Sequence, residues 1–206
     1  MIYIIRHGQT ELNNRSALQG RSDHPLNDSG LLQAENAGEL LREHGIRFDR
    51  VYSSPLIRAV QTAEQILMKA GGQDSADDSG YSVPIRKDER LIEMDYGPYE
   101  GMDLQNPAPE VMAFFMDFAG TPAPEGMEQL GSVVKRLGEF LEEIHEEALR
   151  GNVLLSTHAI AMKGALEYLT PESRGSYWSK YIGNCDIFAA EVTESGYGVP
   201  HRITLQ

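Results

Sequence analysis

Cysteine is nearly absent: the 206-residue chain carries one, Cys185. A single thiol closes no intramolecular disulfide and builds no cysteine-based zinc cluster. Long apolar runs are missing as well, and no stretch approaches the roughly 18 residues a membrane helix needs. The apolar part of the opening Met1-Ile2-Tyr3-Ile4-Ile5-Arg6 is too short for a signal peptide. Positive charge is scarce: 18 Lys and Arg face 31 Asp and Glu, for a formal net charge of −13. Nucleic-acid binders usually carry a basic footprint, and docking on anionic lipid uses a polybasic patch. The expectation is a cytoplasmic protein with neither nucleic acid nor membrane as a partner. No exposed apolar stripe stands out from which an oligomeric state could be read.

What is present is ordinary for a globular protein. Apolar residues make up 41% of the chain, too many for a disordered one. The length favours a single domain over residues 1–206, and it suffices for a sizeable core. No internal repeat or linker divides it.

Ile2 to Ile5 is a short β-branched run and reads as a buried strand. Residues 11–27, with Gly20 and Pro25, lack periodicity and read as a long loop. Helical spacing of Leu31, Leu32, Ala34, Ala37, Leu40 and Leu41 follows Asp28-Ser29-Gly30 and stops at Gly45. Residues 50–54 form a second strand. Ser54 would cap the next helix, with Pro55 at its first position. Residues 71–80 are polar and read as a surface loop. Val83 to Arg86 suggests a strand and Pro109 to Phe118 a helix. Gly126 to Arg150 reads as a long amphipathic helix whose acidic outer face, with Glu139, Glu142, Glu143, Glu146 and Glu147, is simply solvated. Residues 152–157 make a strand, followed by a helix to Leu169. Phe188 to Thr193 and His201 to Leu205 read as a terminal hairpin. Strands and helices alternate, so the class is α/β, a three-layer α/β/α arrangement with a mostly parallel central sheet.

Three polar clusters follow three of these strands: Arg6-His7-Gly8, then Ser53-Ser54 with Arg58, then Thr157-His158. Ligands of open parallel sheets bind beyond the carboxyl ends of the strands, so two Arg and two His would converge at one rim. Guanidinium presents a rigid fork to phosphate or carboxylate. A neutral imidazole between such cations can attack phosphorus. His24, His44, His145 and His201 fit no pattern and read as surface residues, and Cys185 as a small buried hydrophobe.

These blocks resemble the histidine phosphatase superfamily, also called phosphoglycerate mutase-like. Arg6-His7-Gly8-Gln9-Thr10, with Asn13, resembles its opening signature. Gln19-Gly20, Asp23 and Pro25-Leu26 resemble the loop that follows. Residues 53–63, Ser-Ser-Pro-Leu-Ile-Arg-Ala-Val-Gln-Thr-Ala, resemble the second signature. Residues 91–101 resemble the proton-donor block, and Ser156-Thr157-His158 the second-histidine block. Four blocks in family order are far more specific than a lone Arg-His-Gly. The chain departs from the pattern at Ala159, where Gly is usual, and at Leu12, where Trp is frequent. Met127, in Pro124-Glu125-Gly126-Met127-Glu128, stands in place of an acidic residue.

The resemblance implies a phosphoglycerate mutase-like fold and a phosphomonoesterase acting on small phosphorylated metabolites, with no metal and no cofactor. His7 would become phosphohistidine, while Arg6, Arg58 and His158 hold the phosphoryl oxygens. Glu93 would protonate the leaving oxygen. Thr10, Asn13, Gln19, Gly20 and the backbone at Ala159 would complete the phosphate and substrate contacts. Mutases of the bisphosphoglycerate-dependent kind resemble longer chains, and the 32 positions 94–125 look compact, which favours hydrolysis. A mutase and a non-catalytic phospholigand-binding module are the alternatives.

Overall fold

Residues 2–5 leave no side chain for solvent, and all four are buried. The reason is their place: β1 (Ile2–Arg6) runs through the middle of a sheet covered on both faces. In the computed structural model, residues 1–70 and 83–203 are described; the expected loop at 71–80 and the end of the last expected strand lie outside them. The other strands are β2 (Arg50–Ser53), β3 (Ile85–Lys87), β4 (Val153–Thr157), β5 (Ile187–Ala190), β6 (Val192–Thr193), β7 (Gly196–Tyr197) and β8 (His201–Ile203). Six of them form one sheet in the order β3-β2-β4-β1-β5-β8. The β3-β2-β4-β1 pairs are parallel, whereas β5 runs antiparallel to both of its neighbours.

The helices are α1 (Glu11–Asn14), α2 (Asp28–Glu43), α3 (Ile57–Ala70), α4 (Pro109–Met116), α5 (Leu130–Arg150) and α6 (Ala159–Leu169). Successive side chains of a strand point to opposite faces. Tyr3 and Ile5 accordingly pack with Ala37 and Leu41 of α2 and Ala63 and Ile66 of α3. Ile2 and Ile4 pack with Leu137, Phe140, Leu141 and Ile144 of α5 and with Ala161 and Ala165 of α6. This is the three-layer α/β arrangement expected from the alternation of elements. Full burial of each large apolar side chain contributes about 1.5–3 kcal/mol. The acidic positions 139, 142, 143 and 146 of α5 are exposed, as its periodicity predicts, whereas Glu147 is half-buried and accepts from the Tyr52 hydroxyl at 2.9 Å.

Some boundaries differ from expectation. The stretch 11–27 contains the one-turn helix α1, because Thr10 and Asn13 form a reciprocal cap that periodicity does not register. Helix α3 starts at Ile57 rather than Pro55; Ser54, Pro55 and Leu56 turn first, and the Ser54 hydroxyl accepts from the Leu56 N–H at 3.3 Å. β3 begins at Ile85. Helix α5 begins at Leu130, since Gly126 takes a left-handed φ of +87°. The terminal pair is β5 with β8, while β6 folds back on β7 between them.

Register brings the three polar clusters together. Arg6 lies opposite Thr157, and Ser53 opposite Ser156. Main-chain bonds continue one residue further, from His7 N–H to Thr157 O and from Ser54 N–H to Ser156 O, each at 2.9 Å. The loop after β1 is then pressed onto the start of α2. A Cβ on Gly30 would overlap the carbonyl oxygen of Gln9, and one on Gly8 the carbonyl oxygen of Gly30. Overpacking of this kind costs about 1–3 kcal/mol. Gly30→Ala is expected to lower the unfolding free energy by that amount, read as a lower urea midpoint at unchanged m-value, because the backbone atoms it meets cannot rotate away; an unaltered midpoint would contradict this packing.

Candidate active site

His7 is 4% exposed and sits just past the end of β1. Its Nδ1 lies 2.7 Å from the carbonyl oxygen of Gly8. A carbonyl can only accept, so the proton is on Nδ1 and the lone pair on Nε2 is left free. Burial, then Arg58 and Arg6, hold its pKa well below the ordinary 6.5. The backbone around it is tightly held. Gly8 N–H donates to Thr62 Oγ1 at 3.0 Å, Thr62 Oγ1 donates to Arg58 O at 2.8 Å, and Asn184 Nδ2 donates to His7 O at 3.0 Å.

Arg58, on the first turn of α3, is wholly buried. Its Nη2 donates to Gly20 O at 2.6 Å, its Nη1 to Ser22 O at 2.7 Å and its Nε to His158 Nδ1 at 3.2 Å. Burial draws its pKa down to about 10, opposed by Glu93, Asp23 and Glu100. His158, also wholly buried, therefore carries its proton on Nε2, which donates to Ser54 Oγ at 2.7 Å. Its pKa too lies well below ordinary, through burial and then Arg58. The His7 and His158 rings are 5.1 Å apart. Both nitrogens of His158 are thus engaged within the protein, and contact with a phosphoryl oxygen requires Nε2–H to leave Ser54.

Glu93 is 3% exposed and lies at the N-terminus of α6. Its Oε1 accepts from Met94 N–H and Ala161 N–H, both at 2.9 Å, and its Oε2 from Ile160 N–H at 3.2 Å. Oε2 keeps one acceptor position, the only place on this group where a proton can be carried without losing a bond. The N–H of Ala159, first in the helix, is not spent on Glu93. The segment bearing Glu93 is braced by Arg136, whose Nη1 donates to Arg90 O at 2.7 Å and Ile92 O at 2.6 Å. Arg136 pairs with Glu128 at 2.8 Å, so the acidic group that Met127 seemed to displace is supplied one residue later, and Met127 itself is core.

The remaining expected residues gather at the same rim. Thr10 Oγ1 accepts from Asn13 N–H and donates to Gln19 Oε1 at 2.7 Å, so its hydroxyl is committed inside the protein. Gly20 likewise commits its carbonyl to Arg58 and its N–H to Glu100. Arg6 Nη1 donates to Ile182 O at 2.6 Å. Among the described residues, Arg6 Nε and Gln19 Nε2 are buried donors without a partner. Buried donors rarely go unpaired, and here one belongs to the residue before His7 and the other to the residue that bonds Thr10. Thr62 and Asn184 escaped the sequence reading. Thr62 lies one helical turn after Arg58, a spacing that could have revealed it; Asn184 sits in a segment with no periodicity at all.

A family model described as the histidine phosphatase superfamily (branch 1) matches residues 2–202. A 2,3-bisphosphoglycerate-dependent phosphoglycerate mutase of Rhizobium etli is 36% identical over 179 residues, 82% of this chain and 81% of that protein. One from Nitrobacter hamburgensis is 30% identical over 180 residues, 84% and 83% of the two chains. Among solved structures, phosphoserine phosphatase from Entamoeba histolytica in complex with 3-phosphoglyceric acid gives a TM-score of 0.79 at 24% identity, over 100% of this chain and 97% of that one. Bacillus stearothermophilus YhfR gives 0.78 at 26% identity, over 96% and 94%.

Two histidines buried in the neutral form couple stability to pH. Below pH 6.5 the unfolded chain binds a proton at each, whereas the folded chain does not, so their contribution to stability falls as pH falls. His7→Asn removes one such site. Urea unfolding of wild type and variant at several pH values below 6 should give slopes differing by ~1.4 kcal/mol per pH unit, with the wild type steeper. Parallel slopes would mean that His7 is protonated in the folded protein.

Proposed function

The chain belongs to branch 1 of the histidine phosphatase superfamily, and we propose that it is a phosphomonoesterase working through a phosphohistidine intermediate. The observation that carries this reading is the single free nitrogen of His7, with its partner nitrogen tied to Gly8 O and with the imidazole in the field of Arg58 and Arg6. His7 Nε2 attacks phosphorus, and the bond from phosphorus to the ester oxygen breaks. The Glu93 carboxyl gives its proton to that oxygen as the alcohol leaves. Water then attacks the phosphohistidine, its proton passes to the Glu93 carboxylate, and the N–P bond breaks to release phosphate. Arg6 and Arg58 stabilise the charge spread over the phosphoryl oxygens in both transition states. The spare donors Arg6 Nε and Gln19 Nε2 supply fixed partners for those oxygens.

A second reading, phosphoglycerate mutase, is favoured by the names of the relatives above. Length does not separate the two: the matched 180 residues are nearly the same share of this chain as of the mutase. Charge does. A bisphosphorylated three-carbon acid needs cations beyond those that grip the transferred phosphoryl group. Residues 94–125, which follow Glu93, contain no Lys or Arg and six carboxylates. They contribute aromatic surface instead: Phe115 lies 6.3 Å from buried Tyr96, and Phe118 lies 6.3 Å from Trp178. These features support hydrolysis of monoesters with a less charged leaving group.

A panel of phosphate monoesters, scored by release of inorganic phosphate, tests the proposal. Wild type should turn over and form an acid-labile phosphoenzyme. His7→Ala should lose at least about a thousandfold in rate, and Glu93→Gln about 10²–10⁴-fold. Interconversion of 3-phosphoglycerate faster than its hydrolysis would establish the mutase instead. Phosphate binding without turnover or phosphoenzyme would leave only a binding module.

A further inference from the structure

Arg58 directs two of its nitrogens at the carbonyls of Gly20 and Ser22, in a loop that has no helix or strand to hold its shape. Something else must keep both carbonyls aimed at one guanidinium. The Glu100 carboxylate does this from the opposite side. It accepts from Gly20 N–H at 2.9 and 3.0 Å, from Ser22 N–H at 3.3 Å and from the Ser22 hydroxyl. We infer that Glu100 is a positioning residue for Arg58, acting through the backbone of Gly20 and Ser22. The inference rests on the reading that Arg58 holds the phosphoryl group.

Three further features belong to the same device. A Cβ on Gly20 would stand 2.6 Å from Glu100 Oε2 and 2.8 Å from Met94 O, so the carboxylate approaches a backbone that admits no side chain. Gly101 N–H donates to Leu18 O and Leu18 N–H to Met102 O, both at 2.8 Å, which seats Glu100 beside the loop. Asp23 Oδ1 accepts from Ile57 N–H at 2.7 Å and ties the loop's far end to the helix that carries Arg58. The result is a closed circuit from Glu100 through residues 20–23 to α3 and Arg58. Two carbonyls 2.6 and 2.7 Å from separate nitrogens suit the planar fork of Arg and not the point charge of Lys. Glu100 and Asp23 also favour the charged guanidinium against its burial.

A double-mutant cycle on orthovanadate affinity, measured by calorimetry, isolates this role. Glu100→Gln keeps size and one acceptor oxygen but loses the charge and half the acceptors. It is expected to weaken vanadate binding about tenfold or more, with a matching loss of kcat/KM for p-nitrophenyl phosphate. In an Arg58→Lys background the same change should cost less than about twofold, since the group it orients is gone. Ser22→Ala removes one of the contacts and should give a smaller loss in the same direction; it serves in place of Glu100→Gln throughout the cycle if that variant does not fold. Equal losses in both backgrounds, or wild-type affinity in the folded Glu100 and Ser22 variants, would overturn the inference. A wild type that neither binds vanadate nor turns over would instead overturn the functional reading on which it rests.

Discussion

The constraint on which the rest of this structure depends is the burial of the Arg58 charge. An isolated cation in a protein interior is costly unless it is hydrogen-bonded and opposed by negative charge. Arg58 is wholly buried, yet it has two backbone carbonyls and a histidine nitrogen as acceptors, with Glu93, Asp23 and Glu100 in its field. Meeting those needs shapes the loop at 20–23, sets the tautomer of His158 and fixes where α3 begins. Burial, and after it the same cation, lower the pKa of both histidines and favour their neutral forms. A structural demand, accommodating one guanidinium, and a chemical one, providing a neutral imidazole nitrogen, are met by a single arrangement.

Charge is distributed unevenly around that arrangement. The chain as a whole carries −13, and the segment after Glu93 contributes six carboxylates and no Lys or Arg of its own. The positive groups at the rim of the sheet are few and mostly buried, so their field is felt at short range and the acidic surface dominates at a distance. Under the proposed function, phosphorylated compounds are held by local donors rather than steered in by a basic surface. Lys163 belongs to the same local set: burial lowers its pKa to about 8, while it donates to Trp178 O at 2.7 Å and sits 5.3 Å from the Phe118 ring. Its neighbours are aromatic, in keeping with a leaving group that brings little charge of its own.

Glu93 shows how one residue joins fold and chemistry. Its carboxylate caps α6, accepting the N–H groups of Ile160 and Ala161 that no helical carbonyl can reach. Its segment is pinned by Arg136 to α5, and Thr157 Oγ1 donates to Leu91 O at 2.6 Å, which adds a link to β4. The proton-donor role proposed for Glu93 needs its carboxyl within reach of the leaving oxygen through two steps, and these contacts fix its position. Glu93 lies in the field of Arg6 and Arg58, whereas Asp95 and Glu100, close by in sequence, are each spent on a loop.

The sequence by itself determined the layers and the main cast of residues. Apolar period and strand-helix alternation carry that information locally, so β1, α2, β2, α5, β4 and α6 were legible to within a few residues. The ordered Arg-His-Gly, Ser-Pro-Leu-Ile-Arg, Glu93 and His158 blocks named the groups at the rim. Tertiary structure alone decided how those groups are wired. That Thr10 donates to Gln19, that His158 turns to Ser54, that Asn184 holds the His7 backbone and that Glu100 reaches residues 20–22 all depend on atoms brought together from 9 to 177 positions apart. Such contacts follow from strand register and loop closure, which leave no periodic mark on the residues that make them. Local pattern tells which side chains must be hidden; only the folded chain tells a hidden polar group which partner it will meet.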